Sequence, residues 1–340
     1  MGIVKMARSK WTQTAFIILL LCLIFISFLS SLSLGAVTLS VSDVFSALTS
    51  NDYQSLTNKI IIELRLPRAI LAFCAGAGLA LAGVMLQTVT RNPLADPYLF
   101  GISSGASFGV VVLFSITGIQ SGLFLAGSAF AGSMLSVTLL LGIALSARSS
   151  QVDILLLAGV ALSFLFSALT SLLLYWTDPE AISAILFWNL GSFSRADWQW
   201  LWLPVTVVFS ACVILMVMRR PLNALLLGDE SATTVGVNAS KLRIVMLLLS
   251  SLITAVLVAS CGGVGFVGLM IPHIVRFFLS QTRSSGLLAT FLSGGLFMLW
   301  VDVLARSLIE NQELPVGVIT ASTGSVFFLL LLLLRTKART

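Results

Sequence analysis

Arg65 and Arg68 stand three residues apart in LRLPR, and Asp302 stands four residues before Arg306 in DVLAR. On a helix these spacings bring side chains to one face, so the first pair can present concentrated positive charge and the second can form an ion pair. Asp229 or Ser231 in GDESATTVGV can start a short helix that Gly236 stops. The chemistry open to such groups is non-covalent: pairing, docking and the transfer of force. Groups for covalent or redox work are scarce. His273 is the single histidine, which excludes a multi-histidine metal site, and it reads as a structural residue at a helix end. Cys22, Cys74, Cys212 and Cys261 all fall in apolar runs, where a thiol is an inert small hydrophobe. No GxxxxGK[ST] string occurs, so the chain carries no nucleotide-binding P-loop.

The elements that hold these residues are membrane helices. Of 340 residues, 58% are apolar and 9% charged, and the mean hydropathy is +1.07, which excludes a solvated globular surface. A crossing takes about 20 helical residues, and such runs lie at 14–34, 69–89, 98–119, 123–147, 152–175, 200–218, 244–261, 287–305 and 316–334. A tenth, shorter run at 264–280 carries Pro272, His273 and Arg276 and is expected to be a partial crossing packed against protein. The first run exceeds a signal-peptide core and lacks a small-x-small cleavage site, so it is expected to remain as a helix.

Ten crossings with the N-terminus inside place fourteen basic residues on the inner side and five (Lys59, Arg65, Arg68, Arg195, Arg306) outside. That bias obeys the positive-inside rule and puts both termini in the cytoplasm. The net charge of +6 therefore reports topology and not nucleic-acid binding. The spans hold almost no ionisable groups beyond Asp302 near an outer end and Asp153 at a helix start, which disfavours the alternative of an ion-coupled secondary carrier.

Connections add detail. Outside, 36–62 can hold a short amphipathic piece, and WTDPEAISAILFWNLG reads as a surface helix over about 179–191, with Asp178 as cap, Gly191 at its end, and Trp176, Trp188 and Trp198 at headgroup depth. Inside, about 224–240 reads as two short helices forming a knob. Gly101, Gly105 and Gly109, like Ala72, Gly76 and Ala80, form packing faces. In CGGVGFVGLMIPH the glycines disfavour regular helix, so Gly263, Gly265 and Gly268 are candidates for a hinge or pathway wall. LRLPRAILAFCAGAGLALAG and SKLRIVMLLLSSLITAVLVAS, five spans apart, share a basic start and an aliphatic run, a faint sign of inverted repeats.

The strings LRLPR (64–68), RNPLADP (91–97), GISSGAS (101–107), GDESATTVGV (228–237), GFVGLMIPHIVR (265–276) and ELPVGVITASTGSVFF (313–328) together resemble the FecCD-type permeases of bacterial ABC importers, whose members carry vitamin B12, haem and ferric siderophores. The resemblance covers nearly the whole chain. It implies an all-α polytopic fold of the type II importer class, a single permease domain over 1–340, and a location in the bacterial inner membrane. It also implies a second permease subunit, identical or homologous, two ATPase subunits that carry ATP and Mg, and a periplasmic binding protein. This chain would bind no cofactor itself. Arg65, Arg68 and Arg306 match positions that receive acidic residues of the binding protein. Gly228, Asp229, Glu230, Ala232 and Gly236 match the contact with the ATPase. Spans five, eight and ten would wall the pathway, and Ser149, Ser150, Val152 and Asp153 match a cytoplasmic constriction.

Overall fold

A computed structural model describes residues 10–35, 37–49, 55–118, 122–146, 152–280, 283–309 and 312–337, and over them nearly every residue outside the connections is helical. Helix α1 (Lys10–Ser33) is followed by the short amphipathic α2 (Val41–Thr49) and then by α3 (Leu56–Thr90), 35 residues long. Within α3 the turn over Ile60–Arg65 widens to π geometry just before Pro67. Proline removes one backbone donor and crowds the carbonyl four residues back, and a widened turn relieves both effects. The rest of the chain forms α4 (Ile102–Thr117), α5 (Gly122–Ser146), α6 (Val152–Tyr175), α7 (Pro179–Asn189), α8 (Trp198–Leu226), α9 (Asp229–Thr234), α10 (Ala239–Cys261), α11 (Val267–Phe278), α12 (Ser284–Ser307) and α13 (Val316–Lys337).

Eight helices (α1, α3, α5, α6, α8, α10, α12, α13) are long and apolar enough to cross a membrane, and α4 and α11 are shorter apolar helices. These are the ten runs of the sequence. Helix α3 is the axis: 94% of its most apolar stretch is buried, against 22% for α1, α6 and α13. Its glycines let four neighbours close in. A Cβ on Gly76 or Gly83 would collide with the carbonyl oxygens of Gly294 in α12 and Gly268 in α11, and one on Gly78 would lie 2.7 Å from both Leu257 in α10 and Val208 in α8. The two helices with similar sequence, α3 and α10, are thus direct neighbours. The ladder of α4 meets α5, where a Cβ on Gly105 would come within 2.5 Å of the Gly132 oxygen. Outward faces of α6 and α13 carry large exposed side chains such as Phe164 and Leu329, suited to lipid or to another apolar helix.

Two connections differ from expectation. The stretch 224–240 holds one short helix, α9, because α8 runs on through Pro221 to Leu226 as a single 29-residue helix. Trp188 is buried in the fold, while Trp176 and Trp198 are exposed at the surface. The turn before Trp188 aims it at the interior beside Ile185, so only the other two can anchor at headgroups.

Candidate functional site

At the end of the bundle expected to face outward, α1 stops at Ser33 with no basic residue in its last turn. Its final carbonyls need donors, and cations are favoured there by the helix dipole. Arg65 and Arg306 fill that need from other helices. Arg65 Nη1 donates to the carbonyls of Leu32 at 2.6 Å and Ser33 at 2.9 Å, and its Nη2 donates to Val37. Arg306 Nη2 donates to the carbonyl and hydroxyl of Ser31 at 2.8 and 2.9 Å.

Beside Arg306 lies Asp302, fully buried. Its Oδ1 accepts from Arg68 Nε at 2.8 Å, and its Oδ2 lies 3.2 Å from Arg306 Nε, the i,i+4 pair anticipated from the spacing. Arg68 Nη1 also donates to Glu313 Oε1 at 2.6 Å, and Glu313 is about half exposed. All three arginines read from the sequence as facing a partner are therefore buried and bound within the chain. The cause is local: Arg65 and Arg306 finish α1, and only Arg68, through Glu313, reaches the surface.

Beneath this cluster the backbone of three segments meets. Helix α10 ends at Gly262 (φ 75), α7 ends at Gly191 (φ 78), and α13 starts alongside. A Cβ on Gly191 or Gly317 would lie 2.6 or 2.5 Å from the Gly263 oxygen, and one on Gly263 would lie 2.5 Å from the Asn189 oxygen. The irregular backbone is satisfied by protein: Ser192 N donates to Cys261 O at 2.9 Å, Val264 N to Tyr98 Oη at 2.6 Å, Val316 N to Gly191 O at 3.0 Å and Gly317 N to Leu190 O at 2.9 Å. This is the shielding that non-helical backbone requires in a membrane protein. Gly268 lies lower, packed on α3, where Gln87 Nε2 donates to its carbonyl at 3.0 Å and Arg276 donates to Gln87 Oε1. A side chain at Gly265 would meet nothing within 4 Å.

At the opposite end α9 hangs below α8 and α10. Asp229 Oδ1 accepts from Arg243 Nη2 at 2.6 Å and from Arg91, whose Nε donates to Leu225 O at 3.0 Å. Burial pushes the Asp229 carboxyl up, but the hydrogen bond from Arg243 and the charges of Arg243 and Arg91 outweigh it and hold the group below the ordinary carboxylate range. Arg91 sits at φ 50, closing α3, and Asn92 and Asp96 turn the RNPLADP loop by accepting from Leu94 N and Tyr98 N, each at 2.9 Å. Gly228 (φ 120) and Gly236 (φ 80) bracket α9, and Asn238 caps α10 through Lys241 N at 3.0 Å. Glu230 and Gly236 are exposed, with Leu227 and Val235 beside them. Ala232 is fully buried, because its position in the single turn of α9 points back to the core. Ser149 and Ser150 lie outside the described residues, as do the side chains of Val152 and Asp153 at the start of α6.

The FecCD transport family model matches residues 20–334. The chain belongs to the FecCD transport family. Among curated relatives it is 37% identical to the molybdate import system permease of Haemophilus influenzae, over 90% of this chain and 91% of that one. It is 34% identical to the hemin transport system permease of Yersinia pestis, over 94% and 96%. A solved transporter in an inward-facing conformation, assigned to the metal-chelate ABC type, superposes with a TM-score of 0.83 at 34% identity, covering 94% of this chain and 99% of that one. As a FecCD family member the chain is a multi-pass membrane protein of the transport permease class. Sequence reading missed three residues of this assembly: Tyr98, Gln87 and the pairing role of Glu313. Tyr98 and Glu313 sit in or beside quoted motifs, but their partners are 166 and 245 residues away in sequence.

Proposed function

We propose that this chain is the membrane-spanning permease subunit of an ATP-binding-cassette importer in the bacterial inner membrane, with both termini cytoplasmic. It works as a pair with an identical or homologous subunit. Two ATPase subunits supply ATP hydrolysis with Mg, and a periplasmic binding protein delivers cargo. Cargo is an iron chelate, a ferric siderophore or haem, or cobalamin. The observation that carries this reading is α9: a rigid knob tied by Asp229 to α3 and α10 through Arg91 and Arg243, yet exposing Leu227, Glu230 and Val235. In a chain without a P-loop, such a knob gives an external motor a grip on the spans. Alternating access then follows when ATPase closure shifts the population between outward and inward states.

At the outer face the docking contact centres on Arg68. An incoming carboxylate replaces Glu313 on its Nη1, while Arg65 and Arg306 hold the platform. The glycine junction of Gly191, Gly263 and Gly317 beneath it is the hinge of the pathway wall.

The test is uptake of ferric chelates into cells or proteoliposomes carrying the complete complex. ATP-dependent, vanadate-sensitive accumulation that disappears with the permease gene is expected. Vanadate-insensitive uptake driven by an ion gradient would overturn the reading in favour of a secondary carrier.

A further inference from the structure

We propose that a cavity beside the glycine junction is a subsite for an anionic arm of the cargo, with Arg195 as its cation. The cavity, ≈ 240 Å³, lies between the α7–α8 connection, the end of α10 and residues 313–315. It is smaller than the sites that enclose whole drug-sized ligands, so it accepts one arm of a chelate. The proposal rests on the metal-chelate reading above and names the charge class within it.

Its walls combine the ingredients of a small-ligand site. Phe187 and Trp188 give apolar faces, Ser194 and Arg195 give donors, and Ser192 orients Ser194. The two serines are held side by side: Ser192 Oγ donates to Ser194 Oγ at 2.9 Å, and Ser194 N donates back to Ser192 Oγ at 3.1 Å.

The charge balance decides the ligand. Two carboxylates bear on this charge: Glu313, which itself lines the cavity, and Asp197, two residues after Arg195; each has a partner other than Arg195. Glu313 is held by Arg68 at 2.6 Å, and Asp197 caps α8 by accepting from Gln199 N at 2.9 Å. Among the described residues no carboxylate pairs with Arg195, which stays exposed. An exposed guanidinium beside the free Ser194 hydroxyl in a concave wall matches a carboxylate or phenolate, which it can bind with charge-assisted hydrogen bonds. The floor of the cavity includes Gly191, Cys261 and Pro315, so a bound arm lies against the segment that leads into α13.

The test uses the permease in lipid nanodiscs and two radioiron probes, anionic ferric citrate and a neutral ferric trihydroxamate. Wild type is expected to retain ferric citrate in preference. Arg195→Gln is expected to lower that retention about ten-fold, the scale of one lost charge-assisted hydrogen bond, with trihydroxamate retention unchanged and Arg195→Lys largely restored. Equal loss of both probes, or no preference in wild type, would overturn the subsite. Vanadate-sensitive uptake by wild type reports separately on the transport reading: uptake with unchanged citrate retention in Arg195→Gln sinks only the subsite, and charge-selective retention without uptake sinks only the transport reading.

Discussion

The Arg68 Nε donates to Asp302 Oδ1 at 2.8 Å, joining α3 just past Pro67 to the last turns of α12 across 234 residues of sequence. Asp302 is wholly buried and also faces Arg306, so its charge is the centre of a triad in which neither arginine has another buried carboxylate. Removing one partner of a buried pair strands the other charge, at a cost of roughly 3–5 kcal/mol. Asp302→Ala is therefore expected to lower the thermal midpoint of the detergent-solubilised protein sharply, and Asp302→Asn, which keeps one acceptor, less. A midpoint unchanged in both variants would show that the triad does not hold α3 to α12.

Helix α3 can sit at the axis only while its close contacts stay free of side chains. A methyl at Gly83 would overlap the Gly268 carbonyl, backbone against backbone, and neither can swing aside. Gly83→Ala is expected to cost about 1–3 kcal/mol or more and to reduce the monodisperse fraction in size-exclusion chromatography. Gly127→Ala in α5, where a Cβ meets nothing within 4 Å, should leave that profile intact and serves as its control.

How much of this was legible in the sequence depends on the range of the interaction. The ten apolar runs, the stop at Gly236 and the Asp302–Arg306 pair are local patterns, and each is readable. The ladder Gly101, Gly105, Gly109 announced a packing face but not its partner, since small-xxx-small spacing encodes closeness and not identity. Arg65 and Arg306 stood out as charges against the topological bias, and that bias says nothing of the carbonyls at the end of α1 that they satisfy. Ala232 was read from its motif, whereas its burial follows from the tilt of a six-residue helix against the core, which no spacing records.

The same burial gives a labelling prediction. Cysteine placed at Glu230 should react readily with a membrane-impermeant maleimide in inside-out vesicles and be protected when the ATPase subunits are bound. Cysteine at Ala232 should react slowly in either state. Fast labelling at 232 would mean that α9 is turned the other way.

The tether of α9 also has a defined pH range. Asp229 is held below the ordinary carboxylate range in the folded state, so the stability it adds is present above the unfolded value, about 3.9, and is lost as pH falls through the lower folded value. Hydrogen exchange of the 229–236 amides should therefore be flat from pH 8 to about 5, once corrected for intrinsic rates, and rise only under stronger acid. Asp229→Asn should show the raised exchange already at neutral pH. The group is half exposed, so the expected gain is modest, about 1 kcal/mol or less. Exchange that rises between pH 7 and 6 would require another titrating group.

Glu313 gives the sharpest test of the outer face, because it is the only partner of Arg68 that solvent can reach among the described residues. If docking works by replacing its carboxylate, Glu313→Gln weakens the internal competitor without removing Arg68. The binding protein should then associate more tightly, by about two- to five-fold for an exposed pair worth under 1 kcal/mol, with the gain reduced at high salt. Arg68→Gln should weaken docking and also cost stability, since Asp302 loses its closest cation. Surface plasmon resonance against the permease in nanodiscs separates these effects. Tighter docking in Glu313→Gln at unchanged thermal midpoint places competition at Nη1, whereas weaker docking would make Glu313 itself part of the contact.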